Sequence, residues 1–166
     1  MQPHLHKLLI PAWLRAWWPA LFWACLIFTL STDTFSSEHT AKVFSPILRW
    51  LFPHITEDQF DLIHHLIRKT AHFTEYFIFC VLLYRGFRGG RKGWRFSWGF
   101  SAWFAAAVYS CLDEIHQAFV ASRTASPYDS LLDSIGALFA VAALYLWFRW
   151  RRAEPNASQV VSGPRA

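Results

Sequence analysis

Apolar and polar positions are segregated along this chain into long blocks. Four apolar stretches, at about residues 13–30, 70–87, 94–112 and 131–150, approach the ~20 residues that a helix needs to cross the hydrocarbon of a bilayer. The fourth is the cleanest. The first is short unless the apolar residues before Trp17 extend it, and the second and third carry polar residues at their ends. The pattern predicts an all-α integral membrane four-helix bundle over residues 1–152. Residues 153–166, with Pro155, Asn156, Ser158, Ser162, Gly163 and Pro164, are expected to form a disordered tail.

The connections carry their own signals. Ser45-Pro46 opens a short apolar stretch, Ile47–Phe52, and Pro53 closes it. Thr56-x-x-Gln59 is a capping box for a second helix over about Glu57–Lys69. There Phe60, Ile63, Leu66 and Ile67 share one face and Asp61, His64, His65 and Arg68 are polar. Both pieces are predicted as amphipathic helices in the interface, the second able to run on into span two. Gly86, Gly89, Gly90 and Gly93 mark a tight turn between spans two and three.

Composition supports the membrane reading. A chain of 166 residues that is 54% hydrophobic and 19% aromatic, with ten Trp and sixteen Phe, is too apolar for an ordinary soluble domain. The competing reading is a soluble helical bundle. Mean hydropathy is only +0.20 because charge is concentrated in loops and tails. Cys25, Cys80 and Cys111 each lie inside an apolar stretch with no C-x-x-C spacing, and read as buried apolar residues. Lys7 and Arg15 precede the first stretch as in a signal peptide. Pro19 interrupts that stretch and no small-x-small cleavage site follows, so an uncleaved anchor is expected.

Charge sets the orientation. Eleven of the sixteen Lys and Arg residues fall at the N-terminus, in the 85–95 turn or after span four, all on one side of a four-span protein. Ten of the eleven acids fall on the other side or at its edge. The positive-inside rule makes the basic side cytoplasmic, with both termini there. The net charge of +5 therefore points to contact with anionic inner-leaflet lipid rather than nucleic acid.

The acids and their neighbours form a candidate outward-facing cluster. Arg68, His72 and Glu75 are spaced four and three apart at the start of span two. Asp113, His116 and Gln117 share a face at the end of span three, beside Glu114. Asp129 can cap span four and Asp133 follows one turn later, then Gly136 and Ala140 form a small-residue face. Arg123, in the preceding loop, can meet a carboxylate or phosphate. Such groups at membrane depth mark either an interhelical network or a functional site. His72-x-x-Glu75 and Asp113-Glu114-x-His116 have donors suited to a divalent metal, but no complete metal signature is present, and no cofactor is expected. Ser110, Ser122, Ser126 and Ser130 lie nearby without a nucleophile-elbow context.

The run Arg68-Lys69-x-Ala71-His72-Phe73-x-Glu75-Tyr76, then Asp113-Glu114-x-His116-Gln117-x-Phe119, Arg123 and Asp129, together with Ser31, resembles the VanZ-like membrane protein family over about Trp17 to Leu146. The resemblance implies a small multi-pass bacterial membrane protein, of a family named for a member linked to low-level teicoplanin resistance, and supplies no reaction. The family usually has Pro-Gly where Ala121-Ser122 precede Arg123, and often Asn where Asp133 stands. Three functions remain open. One is an envelope protein that affects glycopeptides or lipid-linked precursors, another an enzyme on an outer-leaflet lipid head group, and the third a structural or accessory protein.

Overall fold

The computed structural model describes residues 11–32, 45–120 and 126–160. It is all-α, with no strand among the described residues. The helices are α1 (Ala12–Leu30), α2 (45–51), α3 (Glu57–Arg88), α4 (Phe96–Ala118) and α5 (Pro127–Val160). The four long helices run alternately up and down. Their ends therefore meet in two groups: the end of α1, the first half of α3, the end of α4 and the start of α5 at one, and the opposite termini at the other.

The capping box at the start of α3 forms as the sequence predicts. The Thr56 hydroxyl accepts from the Gln59 backbone N–H at 3.3 Å, and the Gln59 side chain accepts from the Thr56 N–H at 3.2 Å. Glu57 and Asp58 add favourable charge at this N-terminus, and Arg49 of α2 bonds Glu57 at 2.7 Å. The interfacial helix expected to end at Lys69 is not a separate element. No Gly or Pro interrupts 57–85, so it continues as one 32-residue helix, about 48 Å long by the helical rise. Gly89, in the left-handed conformation (φ 57°), ends it.

At the other terminus, α5 runs from Pro127 to Val160. Among the described residues two helices, α1 and Pro127–Arg152 of α5, are long and apolar enough to cross a membrane.

The core runs between α3, which touches α1, α4 and α5, and small residues of α4 and α5. Ala102, Ala106, Ala137 and Ala140 are fully buried, with Tyr76, Phe79, Cys80 and Tyr84 of α3 against them. The small-residue face on α5 brings two backbones together: a Cβ on Gly136 would lie 2.5 Å from the Phe73 carbonyl oxygen. Of the cysteines expected to be buried, only Cys80 is; Cys25 and Cys111 face outward on α1 and α4.

Pro19 sits inside α1 and removes the N–H that would bond the Arg15 carbonyl. The Arg85 guanidinium of α3 donates to that carbonyl at 3.0 Å instead, so the break in the helix becomes an interhelical contact. Next to it the Trp17 ring packs on Gly86, where any side chain would collide at 2.9 Å.

Candidate functional site

The acidic end of the bundle is built around two buried aspartates. Asp113 on α4 accepts at Oδ2 from the Ser31 hydroxyl (2.8 Å), at the end of α1, and from Gln117 Nε2 (3.0 Å), one turn along α4. Gln117 also reaches Ser31 Oγ at 3.4 Å, closing a three-membered group. Asp133 on α5 accepts at Oδ2 from the Ser110 hydroxyl (2.9 Å). Its other oxygen stands 3.8 Å from His72 Nδ1 on α3. Gln117 and Asp133 are each 1% exposed and Asp113 5%, so four helices shield these groups. Burial on that scale is tolerable only with partners, which is why hydroxyls and an amide stand against the carboxylates.

Tyr76 of α3 is fully buried beside these groups, and its hydroxyl makes no hydrogen bond among the described residues. The Ser130 hydroxyl donates to the Ser110 carbonyl at 3.3 Å, tying the start of α5 to α4.

A second tier lies nearer the helix ends. Lys69 forms an ion pair with Asp129, which is largely buried in the first turn of α5. Glu114 accepts from the Ser126 backbone N–H at 2.8 Å, pinning the segment that leads into α5. Glu114 lies two residues beyond the expected end of span three. Burial pushes its carboxyl above the ordinary glutamate range. The Ser126 bond opposes this, Asp113 adds to it, and Arg68 and Lys69 pull it back down.

The predicted cluster is thus gathered unevenly. Asp113, Gln117, Asp133 and His72 meet in the interior; Asp129, Glu114 and Arg68 lie around its mouth. Glu75 borders a groove on the α1 side of α3, where the Trp23 indole N–H donates to its backbone carbonyl at 3.0 Å, and its carboxylate is close enough to Asp133 for the two to repel. His116 packs tilted against Phe28 of α1, ring centroids 4.6 Å apart, one turn along α1 from the Ser31 that bonds Asp113; its Nε2 is buried without a hydrogen bond among the described residues. Arg123, with the whole 121–125 loop, lies outside the described residues.

Sequence reasoning left out of its cluster four side chains that complete it: Ser31, Lys69, Tyr76 and Ser110. Lys69 and Tyr76 stand inside the quoted α3 run, and Ser31 was a matching position, so their signal was adjacency. Ser110 has only its position one turn before Asp113–Glu114. Among the described residues no three His, Cys, Asp or Glu side chains gather closely enough to hold a metal ion.

The VanZ/LLP1 family model matches residues 16–149, which is most of the chain and includes every one of these side chains. The chain belongs to the VanZ/LLP1 family. No curated protein and no solved structure matches it. The VanZ/LLP1 match opens inside α1 and closes near the end of the apolar part of α5, so the family region and the bundle coincide.

Chemically, the interior is a carboxylate pair fixed by hydroxyls. Its connectivity differs from a nucleophilic triad: Asp133 stands between Ser110 and His72, whereas serine activation needs the imidazole between hydroxyl and carboxylate. The arrangement suits holding charge and hydrogen bonds in place, not generating an alkoxide at Ser110.

Proposed function

We propose that this chain is a four-span protein of the bacterial inner membrane, with both termini cytoplasmic. In this reading its acidic end binds the polar part of a lipid-linked wall precursor or of a glycopeptide at the outer face. Two features support the spans beyond α1 and α5. Phe96, Phe100, Phe104, Val108, Leu112, Ile115 and Phe119 form a continuous exposed apolar stripe along the outside of α4, a surface that suits lipid and not water. The 30 Å of hydrocarbon is also well within the length of α3.

The observation that carries the binding reading is the charge of the acidic end. Among the described residues it has eight acids against three bases (Arg49, Arg68, Lys69), with Asp113 and Asp133 buried between helices. A face of that sign favours amine-bearing and hydroxyl-rich head groups. The His72···Asp133 contact supports a second reading, an acid–base enzyme acting on an outer-leaflet lipid.

The test uses Glu114→Gln, Asp133→Asn and wild-type protein at matched membrane abundance. The binding reading expects altered glycopeptide susceptibility and weaker retention of lipid-linked precursor in native mass spectrometry, with an unchanged cellular lipid profile. A profile that shifts with deletion and overexpression would favour the enzyme. Variants that need higher expression to reach that abundance, and then match wild type in susceptibility and retention, would leave only the structural role. Cysteine labelling at position 92 from inside and at position 61 from outside checks the topology; labelling of both from one side would sink it.

A further inference from the structure

The basic end holds a shaped cavity that none of the preceding chemistry uses. Trp94, Tyr145, Phe148, Arg149 and Arg152 line a space of about 190 Å³ between the α3–α4 turn and the last turns of the apolar part of α5. Its floor is aromatic. Trp94 stacks on Tyr84 (5.2 Å, 16°) and meets Tyr145 edge-on at 5.8 Å, and the Tyr84 hydroxyl donates to the Gly93 carbonyl. Its rim is cationic. Arg149 and Arg152 are three apart on one helix face, and Arg149 Nη1 donates to the Tyr145 hydroxyl at 3.3 Å.

Arg152 crosses Gly93 so closely that a Cβ there would stand 3.0 Å from its Nη2, in a backbone conformation (φ 82°) that side chains rarely adopt. Arg88 lies behind, over the Phe148 ring at 5.6 Å, with Nε buried and without a hydrogen-bond partner among the described residues.

Charge complementarity names the occupant. Arg85, Arg88, Arg91, Lys92, Arg95, Arg149, Arg151 and Arg152 meet at this end, and within residues 76–112 and 134–152 the sequence has no acid. We infer that this cavity is a binding site for the phosphodiester of one anionic phospholipid of the cytoplasmic leaflet. The Arg149 and Arg152 guanidinium groups hold the phosphate oxygens in fork geometry, Trp94 lies at the glycerol level, and the acyl chains run along α5. This rests on the membrane-embedded reading of the chain, but not on the outer-face ligand.

The test is native mass spectrometry of the full chain from nanodiscs of phosphatidylglycerol or of phosphatidylcholine. One retained phosphatidylglycerol per protein is expected, with phosphatidylcholine lost. Arg149→Gln/Arg152→Gln should weaken that retention about tenfold, as loss of charge-assisted bonds implies. Arg91→Gln/Arg95→Gln removes the same charge from arginines that lie over Trp98, outside the cavity, and should leave retention nearly intact. Equal losses in both pairs would show diffuse attraction without a site and overturn the inference, as would equal retention of the two lipids. Recovery of the chain in the soluble fraction would instead sink the membrane reading itself.

Discussion

Gly136 gives the sharpest single perturbation of the bundle. In Gly136→Ala the new methyl would lie 2.5 Å from the Phe73 carbonyl oxygen and 3.3 Å from its carbonyl carbon and Cα, against 3.4–4 Å for ordinary contact. The obstacle is backbone in the middle of α3, so no rotamer change relieves it, and α3 and α5 must separate by about 1 Å. Overpacking of this kind costs about 1–3 kcal/mol, while alanine in place of glycine in a helix returns at most about 1 kcal/mol. Because the obstacle is backbone, the cost falls toward the upper end of that range and the clash wins, with a net loss of up to about 2 kcal/mol, or up to about 6 °C in Tm at this chain size. The separation also lengthens the His72···Asp133 contact, because His72 adjoins Phe73 and Asp133 lies one turn before Gly136. Gly99→Ala is the comparison: its methyl would collide at 2.6 Å with the tip of the Trp94 ring, a side chain that can move. Thermal unfolding of both variants in the same detergent is the assay. The reasoning is refuted if Gly136→Ala matches or exceeds wild type, or if Gly99→Ala loses more.

Other outcomes follow from specific contacts. Asp113→Ala leaves the buried Ser31 hydroxyl and Gln117 amide without their acceptor and should cost about 1–3 kcal/mol; adding Ser31→Ala should cost less than the sum of the singles, and strict additivity in a thermal double-mutant cycle would argue against the shared bond. Arg85→Leu should destabilise wild type more than a Pro19→Ala background, because restoring the helical N–H at position 19 gives the Arg15 carbonyl its own donor; equal losses would mean the Arg85 contact has nothing to do with the proline. Lys69→Glu should lower membrane abundance through repulsion at Asp129, and Lys69→Glu/Asp129→Lys should restore part of it, measured by quantitative blotting; no recovery in the double variant would count against the ion pair.

Much of the architecture was legible because it depends on local signals. The capping box at Thr56 and Gln59, the glycines after Phe87 and the four apolar blocks each announce an element without reference to the rest of the chain. The grouping of Asp113, Gln117, Asp133 and His72 also followed, since three- and four-residue spacings and an alternating topology place them at one end. What the sequence concealed was the partner each side chain meets between helices. Spacing put His116 with Asp113 and Gln117, and all three do face α1, but it did not show that the imidazole would meet the Phe28 ring while the other two meet the Ser31 hydroxyl. Ser31 and Ser110 were hard to weigh for a different reason. A single serine in an apolar run has no periodicity, and its worth as a donor appears only when a carboxylate from another helix stands opposite.

The contacts of α1 bear on how the bundle comes together. Its main helix neighbour is α3, yet polar bonds fasten it along its length: Arg85 to the Arg15 carbonyl, Trp23 to the Glu75 carbonyl, Tyr109 to the Ala24 carbonyl and Ser31 to Asp113. These bonds come from α3 and α4, both later in the chain. α1, which emerges before α3 and α4, therefore carries a proline gap and a polar tip that only later segments can satisfy. Once they arrive, a slide by one residue or a modest rotation would break all four bonds together, so α1 docks as a unit and has no half-engaged position to rest in.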